Sequence, residues 1–252
     1  MKLLLQVLAI CPLFCWGTIT EITSIDEVKI LPEENVLYIF DIDNTLIHLI
    51  QELGSDQWFY QRIQDLEKMG KTSTEAQDQT AAEFYGIQQL SQSQIVEKSI
   101  PHFIEILKEK KLPFMGLTIR GFDIARRTIQ QLSDCGVELD GDVFDPAPHF
   151  IEKSSYLFSY KGVVFTSGGN KGVALQKFLS CYDLHFDHVV MVDDKRHHLE
   201  GVEKALEEIG ISMTGYRYGF LDEYVARFCP DRAKKQFSCV EPLIEGKVHL
   251  EN

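Results

Sequence analysis

Apolar runs bounded by turn residues recur along the chain, and the stretches between them switch to a helical period. Val36-Leu37-Tyr38-Ile39-Phe40 is a continuous apolar run that ends at Asp41, the pattern of a strand buried on both faces. The same reading predicts strands over 112–117, 162–165, 188–192 and 211–216. Between them, Ile124, Ile129 and Leu132 mark a helix stopped by Gly136, Leu175, Phe178 and Leu179 a second, and Leu199, Val202, Leu206 and Ile209 a third stopped by Gly210. Alternating strands and helices of this kind predict an α/β fold with a doubly wound, mainly parallel sheet.

From His48 to about Lys111 the pattern is helical throughout. Ile63, Leu66 and Met69 share a face, Thr72-x-x-Glu75 has the form of a capping box, and Phe84, Ile87, Leu90 and Ile95 continue the period. Such a length is too great for a simple crossover. It predicts a helical cap inserted after the first strand, over 48–111, on a body made of 18–47 and 112–252. Trp58, Phe59 and Tyr60 read as packing inside that cap in preference to a wall over a substrate. The Asp/Gly/Pro-rich passage from Gly136 to Tyr160 reads as a hairpin or small appendage, and the chain beyond the last strand as a short helix and a polar tail.

Composition narrows the setting. At 252 residues and 44% hydrophobic content the chain can bury a full core. Its net charge of -13 argues against nucleic-acid binding, which needs a basic stripe. Met1-Lys2 followed by an apolar run from Leu3 to Phe14 reads as an export leader over 1–17, too short to span a bilayer comfortably. A periplasmic or secreted soluble protein is therefore expected, touching membrane only through the leader. Cys135, Cys181, Cys229 and Cys239 would remain in the mature chain, an even number that permits disulfides of undetermined pairing; Cys229 and Cys239 are nearest and flank a polar loop.

The chemistry sits at strand ends, where open α/β sheets place it. Asp41 and Asp43 stand one residue apart, and paired carboxylates call for a cation, a shared proton or a substrate. One arrangement meets that need: Asp41 as nucleophile and metal ligand, Asp43 lending its carbonyl to the metal and its side chain to proton transfer. Nucleophilic carboxylates of this kind make aspartyl-phosphates. The plainer alternative is a solvated Asp-Asn turn. Thr118, at the end of the second strand, suits either a phosphate oxygen or a helix N-cap. Arg120 could clamp a phosphate but reads better as a surface residue. Thr166–Gly172 is glycine-rich yet lacks the Walker spacing. Asp193-Asp194 supplies a second carboxylate pair at a second strand end.

Asp41-Ile42-Asp43-Asn44-Thr45-Leu46 resembles the first motif of the haloacid dehalogenase (HAD) phosphatase superfamily. Thr118 matches that family's second motif, Lys171 its third-motif lysine, with Lys161 as competitor, and Asp193-Asp194 its fourth motif. The resemblance implies a HAD/Rossmann-like body and a hydrolase that removes phosphate from a phosphomonoester through an aspartyl-phosphate. It further implies Mg²⁺ at Asp41, Asp43, Asp193 and Asp194, phosphate contacts from Thr118 and Lys171, and a phosphorylated small molecule or phosphoprotein as substrate. His197 and His198 stand where the family often has Asp or Asn, and their role is left open. Leader, insert and Asp-Asp motif together resemble exported acid-phosphatase-type HAD proteins and a HAD-like family of intracellular bacteria. Two other readings stay open: a protein-phosphotyrosine phosphatase secreted toward a host, and a catalytically silent HAD-like binding protein. Oligomeric state is open too.

Overall fold

The computed structural model describes residues 18–32, 35–141 and 143–248. The leader read at 1–17 therefore lies outside the described residues. Among those described, no helix is long and apolar enough to cross a membrane.

Among the described residues, strands β1 (Thr18–Ile22), β2 (Val36–Phe40), β3 (Ile47–Leu49), β4 (Ser93–Ile95), β5 (Phe114–Thr118), β6 (His149–Glu152), β7 (Leu157–Tyr160), β8 (Val163–Phe165), β9 (His188–Asp193) and β10 (Ser212–Tyr218) alternate with eight α-helices. These are α1 (Asp56–Lys68), α2 (Ser73–Leu90), α3 (Ile100–Glu109), α4 (Ala125–Asp134), α5 (Lys171–Cys181), α6 (Arg196–Glu208), α7 (Asp222–Val225) and α8 (Pro230–Val248). Eight strands form the main sheet in the order β1-β10-β9-β2-β5-β8-β7-β6, parallel from β1 to β8, with the β6–β7 hairpin added antiparallel at one edge.

The side-chain alternation of β2 divides the core in two. Val36, Tyr38 and Phe40 face α3 and α4, meeting Ile104, Leu107 and Leu132, while Leu37 and Ile39 face Leu175, Phe178, Leu199 and Val202 of α5 and α6. Burial on both faces explains why these central strands carry unbroken apolar runs. From β2 the chain winds outward through β5 and β8, then returns to β9 on the other side of β2. The crevice at the carboxyl ends of β2 and β9 is thus the sheet's topological switch point.

The excursion after β2 is narrower than the one expected. The β3–β4 hairpin forms its neck and α1 and α2 its bulk. It closes at β4, because Ile100, Phe103, Ile104 and Leu107 of α3 are buried against the sheet. The capping box at Thr72 and Glu75 is present at the start of α2. Trp58 and Phe59 pack inside the excursion, Trp58 stacked on Phe237 of α8 and Phe59 edge-on to Phe84. Helix α8, read in sequence as a tail, is its third helix; Ala233, Phe237 and Val240 join Leu53, Trp58 and Ile87 in a cluster separate from the sheet's two layers. Met69 ends α1 in solvent. The four described cysteines carry free thiols. Between Cys229 and Cys239 the chain is helix, not loop, and ten helical steps of about 1.5 Å hold them ~15 Å apart, well beyond the reach of one disulfide.

Glu97, between β4 and α3, ties three distant segments together. It accepts from Ser24 Oγ (2.7 Å), the Ile25 amide (2.8 Å) and the Tyr218 hydroxyl (2.5 Å). Burial pushes its carboxyl up, and the bonds from Tyr218, Ile25 and Ser24 outweigh that and leave it low. The stabilisation is therefore full above the ordinary value of 4.5 and is lost as pH falls through the depressed folded value. Glu97→Gln is expected to cost about 1.5 kcal/mol at pH 7, a fall in Tm of roughly 3–6 °C, and thermal melts of both proteins should converge as the pH is taken below 4.5.

A candidate active site at two adjacent strand ends

Asp41 follows β2 directly, and its amide donates to the Val192 carbonyl at 3.0 Å, extending the β2–β9 ladder by one step. With Phe40 paired to Val192, Asp41 and Asp193 are brought level on neighbouring strands. Both are buried, and so is Lys171, which enters between them from the first turn of α5. Its Nζ lies 2.6 Å from Asp41 Oδ1 and 2.7 Å from Asp193 Oδ2. Two local features aim it. Asn170 caps α5 by accepting from the Val173 amide, and Gly172 lets α5 cross α6 closely: a Cβ there would stand 2.4 Å from the Gly201 carbonyl oxygen. Lys161, the competing lysine, is exposed at the turn before β8, at the opposite end of the sheet.

The four carboxylates differ because their surroundings do. Burial pushes Asp193 up, but the Lys171 charge and a hydrogen bond from His198 win and bring it down to about 2. Its Oδ1 accepts from the Lys195 amide (2.8 Å) and faces His198 Nδ1 (3.2 Å). Asp41 goes the other way: burial outweighs Lys171 and, with Asp193 adding repulsion, pushes it up to about 6. Asp194 is raised well above the carboxylate range by burial and by Asp41 and Asp193. Its amide donates to Thr45 Oγ1 at 3.1 Å, and Asn44 Nδ2 lies 3.4 Å from its Oδ2. Asp43 is held low, since Arg120 outweighs the penalty of burial.

Arg120 is the site's main departure from the sequence reading. It is not a surface residue: its side chain is 2% exposed. Nε and Nη2 grip the two oxygens of Asp43 at 2.7 and 2.8 Å, and Nη1 donates to Thr128 Oγ1 (2.9 Å) and Gln131 Oε1 (2.7 Å). Guanidinium has donors only, and a carboxylate plus two neutral acceptors is what allows it to be buried. Thr118 ends β5, fully buried, two residues past Gly116, the partner of Phe40. Its hydroxyl accepts from the Arg120 amide at 3.2 Å. It is no helix cap, because α4 begins only at Ala125.

Lys195 pairs with Asp56 of α1 and lies 4.8 Å from the centre of the Tyr60 ring. Sequence reasoning assigned neither Lys195 nor Asp56 a role, although a lysine directly after an Asp pair was a signal for the first. His197 packs its ring against His198 at 4.3 Å.

Among the described residues, Asp41, Asp193 and Asp194 form the grouping able to hold a metal ion, with ligand oxygens within 4.8 Å of one another. Lys171 gives three clustered carboxylates one wholly buried positive charge. Carboxylate oxygens alone, short of countercharge, suit a hard divalent cation.

The model of a family described as "Protein of unknown function (DUF2608)" matches residues 18–247. The chain belongs to that family. Similar proteins include a "Putative outer membrane protein" of Chlamydia trachomatis, 24% identical over 91% of this chain and 87% of the relative. A protein of the same description from Chlamydia pneumoniae is 25% identical over 90% of this chain and 87% of the relative. Among solved structures, a hydrolase from Pseudomonas syringae aligns with TM-score 0.40 and 12% identity, covering 76% of this chain and 98% of its own.

For this DUF2608 member the geometry makes Lys171 the keystone of the crevice. Lys171→Met should destabilise the protein by ~3–5 kcal/mol, since it leaves Asp41 and Asp193 buried without their counter-ion. Chemical denaturation at pH 7 measures this, and a loss under 1 kcal/mol would refute the keystone role.

Proposed function

We propose that the protein is a metal-dependent phosphomonoester hydrolase of HAD type, working through an aspartyl-phosphate on Asp41. The observation that carries this reading is the placing of Lys171 between Asp41 and Asp193 at adjacent strand ends, with Asp43 two residues on. Asp41 Oδ1 is held by the Lys171 ammonium, which gives a nucleophilic carboxylate the cation it requires when an anionic phosphate approaches.

Asp41, the Asp43 carbonyl, Asp193 and Asp194 would hold Mg²⁺. When bound, that ion supplies charge neutralisation for the incoming phosphate. Lys171 and Thr118 stabilise the equatorial oxygens as Asp41 attacks phosphorus and the bond to the leaving oxygen breaks. In the second half Asp43 takes a proton from water, which attacks phosphorus, breaks the bond to Asp41 and releases phosphate. Arg120 keeps Asp43 ionised, which favours this base role over protonation of a leaving group. Substrates with acidic leaving groups, aryl phosphates among them, are accordingly favoured.

A cell-envelope or exported setting agrees with the leader-like residues 1–17 and with the description of the chlamydial relatives as outer membrane proteins. One observation favours a second reading, a silent binding protein: both oxygens of Asp43 are already taken by Arg120.

Hydrolysis of p-nitrophenyl phosphate separates the two, because its leaving group departs without needing a proton. Turnover should require a divalent cation, vanish in Asp41→Asn, and fall by roughly 10²–10⁴ in Asp43→Asn. A folded protein inactive with every divalent ion tried, and showing no binding of vanadate, would favour the silent reading.

A further inference from the structure

Arg120 is one end of a hydrogen-bonded line that leaves the crevice through the body and ends in the cap. Gln131 of α4 accepts from Arg120 with Oε1 (2.7 Å) and donates from Nε2 to Gln88 Oε1 (2.9 Å); Gln88 of α2 donates from its own Nε2 to the Gly54 carbonyl (2.9 Å). Both glutamines are fully buried. The direction of the line is fixed from one end. A guanidinium can only donate, so Gln131 must turn its oxygen to Arg120 and its amide nitrogen to Gln88, and Gln88 must then turn its nitrogen to Gly54.

The far end returns to the crevice. Gly54 lies two residues before Asp56, the partner of Lys195, and Lys195 adjoins Asp194. Close contact at Gly54 is built in, since a Cβ there would stand 2.5 Å from Ile87 of α2. Arg127 of α4 donates to the carbonyls of Gln88 and Ser91, fastening the end of α2 to the same helix that carries Gln131. Two buried amides at this seam contribute little that apolar side chains of equal volume would not, and each is costly if its partner is lost. Their particular property is directional: the bonds form in one seating of α2 on α4.

We propose that Gln88 and Gln131 are positioning residues that couple the seating of the cap to the orientation of Asp43, acting through Arg120. With α2 docked, Gln131 fixes the guanidinium, and the guanidinium fixes the plane of the Asp43 carboxylate. With α2 displaced, Gln131 Nε2 loses its acceptor, and the Gln131 side chain no longer holds the guanidinium in one orientation, leaving Thr128 and Asp43 as its remaining partners. That Asp43 moves a proton rests on the reading in the preceding subsection; the mechanical coupling does not.

Two measurements test this on the full chain. Amide hydrogen exchange of residues 51–56 and 86–92 reports the cap's seating without any substrate. Asp43→Ala makes no change in the cap itself, yet exchange there should rise about tenfold, the effect of one broken link, while α5 and α6 keep wild-type protection. Exchange in that segment equal to wild type overturns the coupling. The second is a kinetic cycle on p-nitrophenyl phosphate with Gln88→Met, which keeps side-chain volume, and Gln88→Asn as a second variant. Each should lower kcat about tenfold with KM within about twofold, and neither should lower it further in an Asp43→Asn background. Additive losses, or losses confined to KM, overturn the positioning role. If wild type shows no turnover, the hydrolase reading falls and the exchange result still decides the coupling; turnover with unchanged exchange removes the coupling alone.

Discussion

The site depends on one ammonium group shared by two buried carboxylates. Asp41 and Asp193 are forced level by the register of β2 and β9, and neither strand can relieve their repulsion. Lys171 comes from elsewhere in the chain, 130 residues after Asp41 and 22 before Asp193. Its delivery depends on backbone packing: α5 must cross α6 closely enough that position 172 tolerates only glycine. An isolated buried charge is prohibitive and a well-bonded pair is near balance, so removing any member would strand the others. The switch point of the sheet is in this sense an electrostatic joint, and the packing of two helices on the far face of β2 exists in the same register as the chemistry in front of it.

The same environment sorts four carboxylates that are alike in sequence. Asp193 has its two oxygens bonded on both sides and is brought low, while Asp194, its neighbour, faces other carboxylates and is pushed high. Asp43 belongs to Arg120, and Asp41 keeps one lysine contact against full burial. Groups whose surroundings separate their proton affinities in this way are suited to different tasks. The charge that Asp194 lacks, and that Lys195 only partly supplies because Asp56 claims it, is what a divalent cation would bring.

Legibility in the sequence followed from where apolar character and chemistry coincide. β2 and β9 are buried on both faces, so their runs were continuous and their terminal Asp residues stood out. β1 was missed because Thr18–Ile22 is a short edge strand in which three of five residues, Thr18, Thr20 and Glu21, are polar. α8 was missed because Pro230 and Pro242 interrupt the pattern, although Ala233, Phe237 and Val240 repeat at helical spacing and cover Trp58. Arg120, Gln88 and Gln131 carry the letters of surface residues. Their burial is made affordable by partners in other elements, Gln131 for Gln88 at 43 positions and Asp43 for Arg120 at 77 among them, and no local pattern announces such pairing.

Cohesion in the excursion and cohesion at its seam with the body are of different kinds. Inside the cap, Leu53, Trp58, Ile87, Ala233 and Phe237 form an apolar cluster of their own, which is non-directional and costly to open to water. Where the cap meets α4 and the β9–α6 junction, directional polar contacts join the two: Gln88 with Gln131, Arg127 with the end of α2, and Asp56 with Lys195. Polar groups that part can be rehydrated, so such a seam loses less on opening than an apolar one of equal area, while its bonds re-form in one register. The partition of apolar contacts inside and directional contacts between favours a cap that holds together as a unit and seats on the body in a defined way, beside the clustered carboxylates and the arginine that holds Asp43.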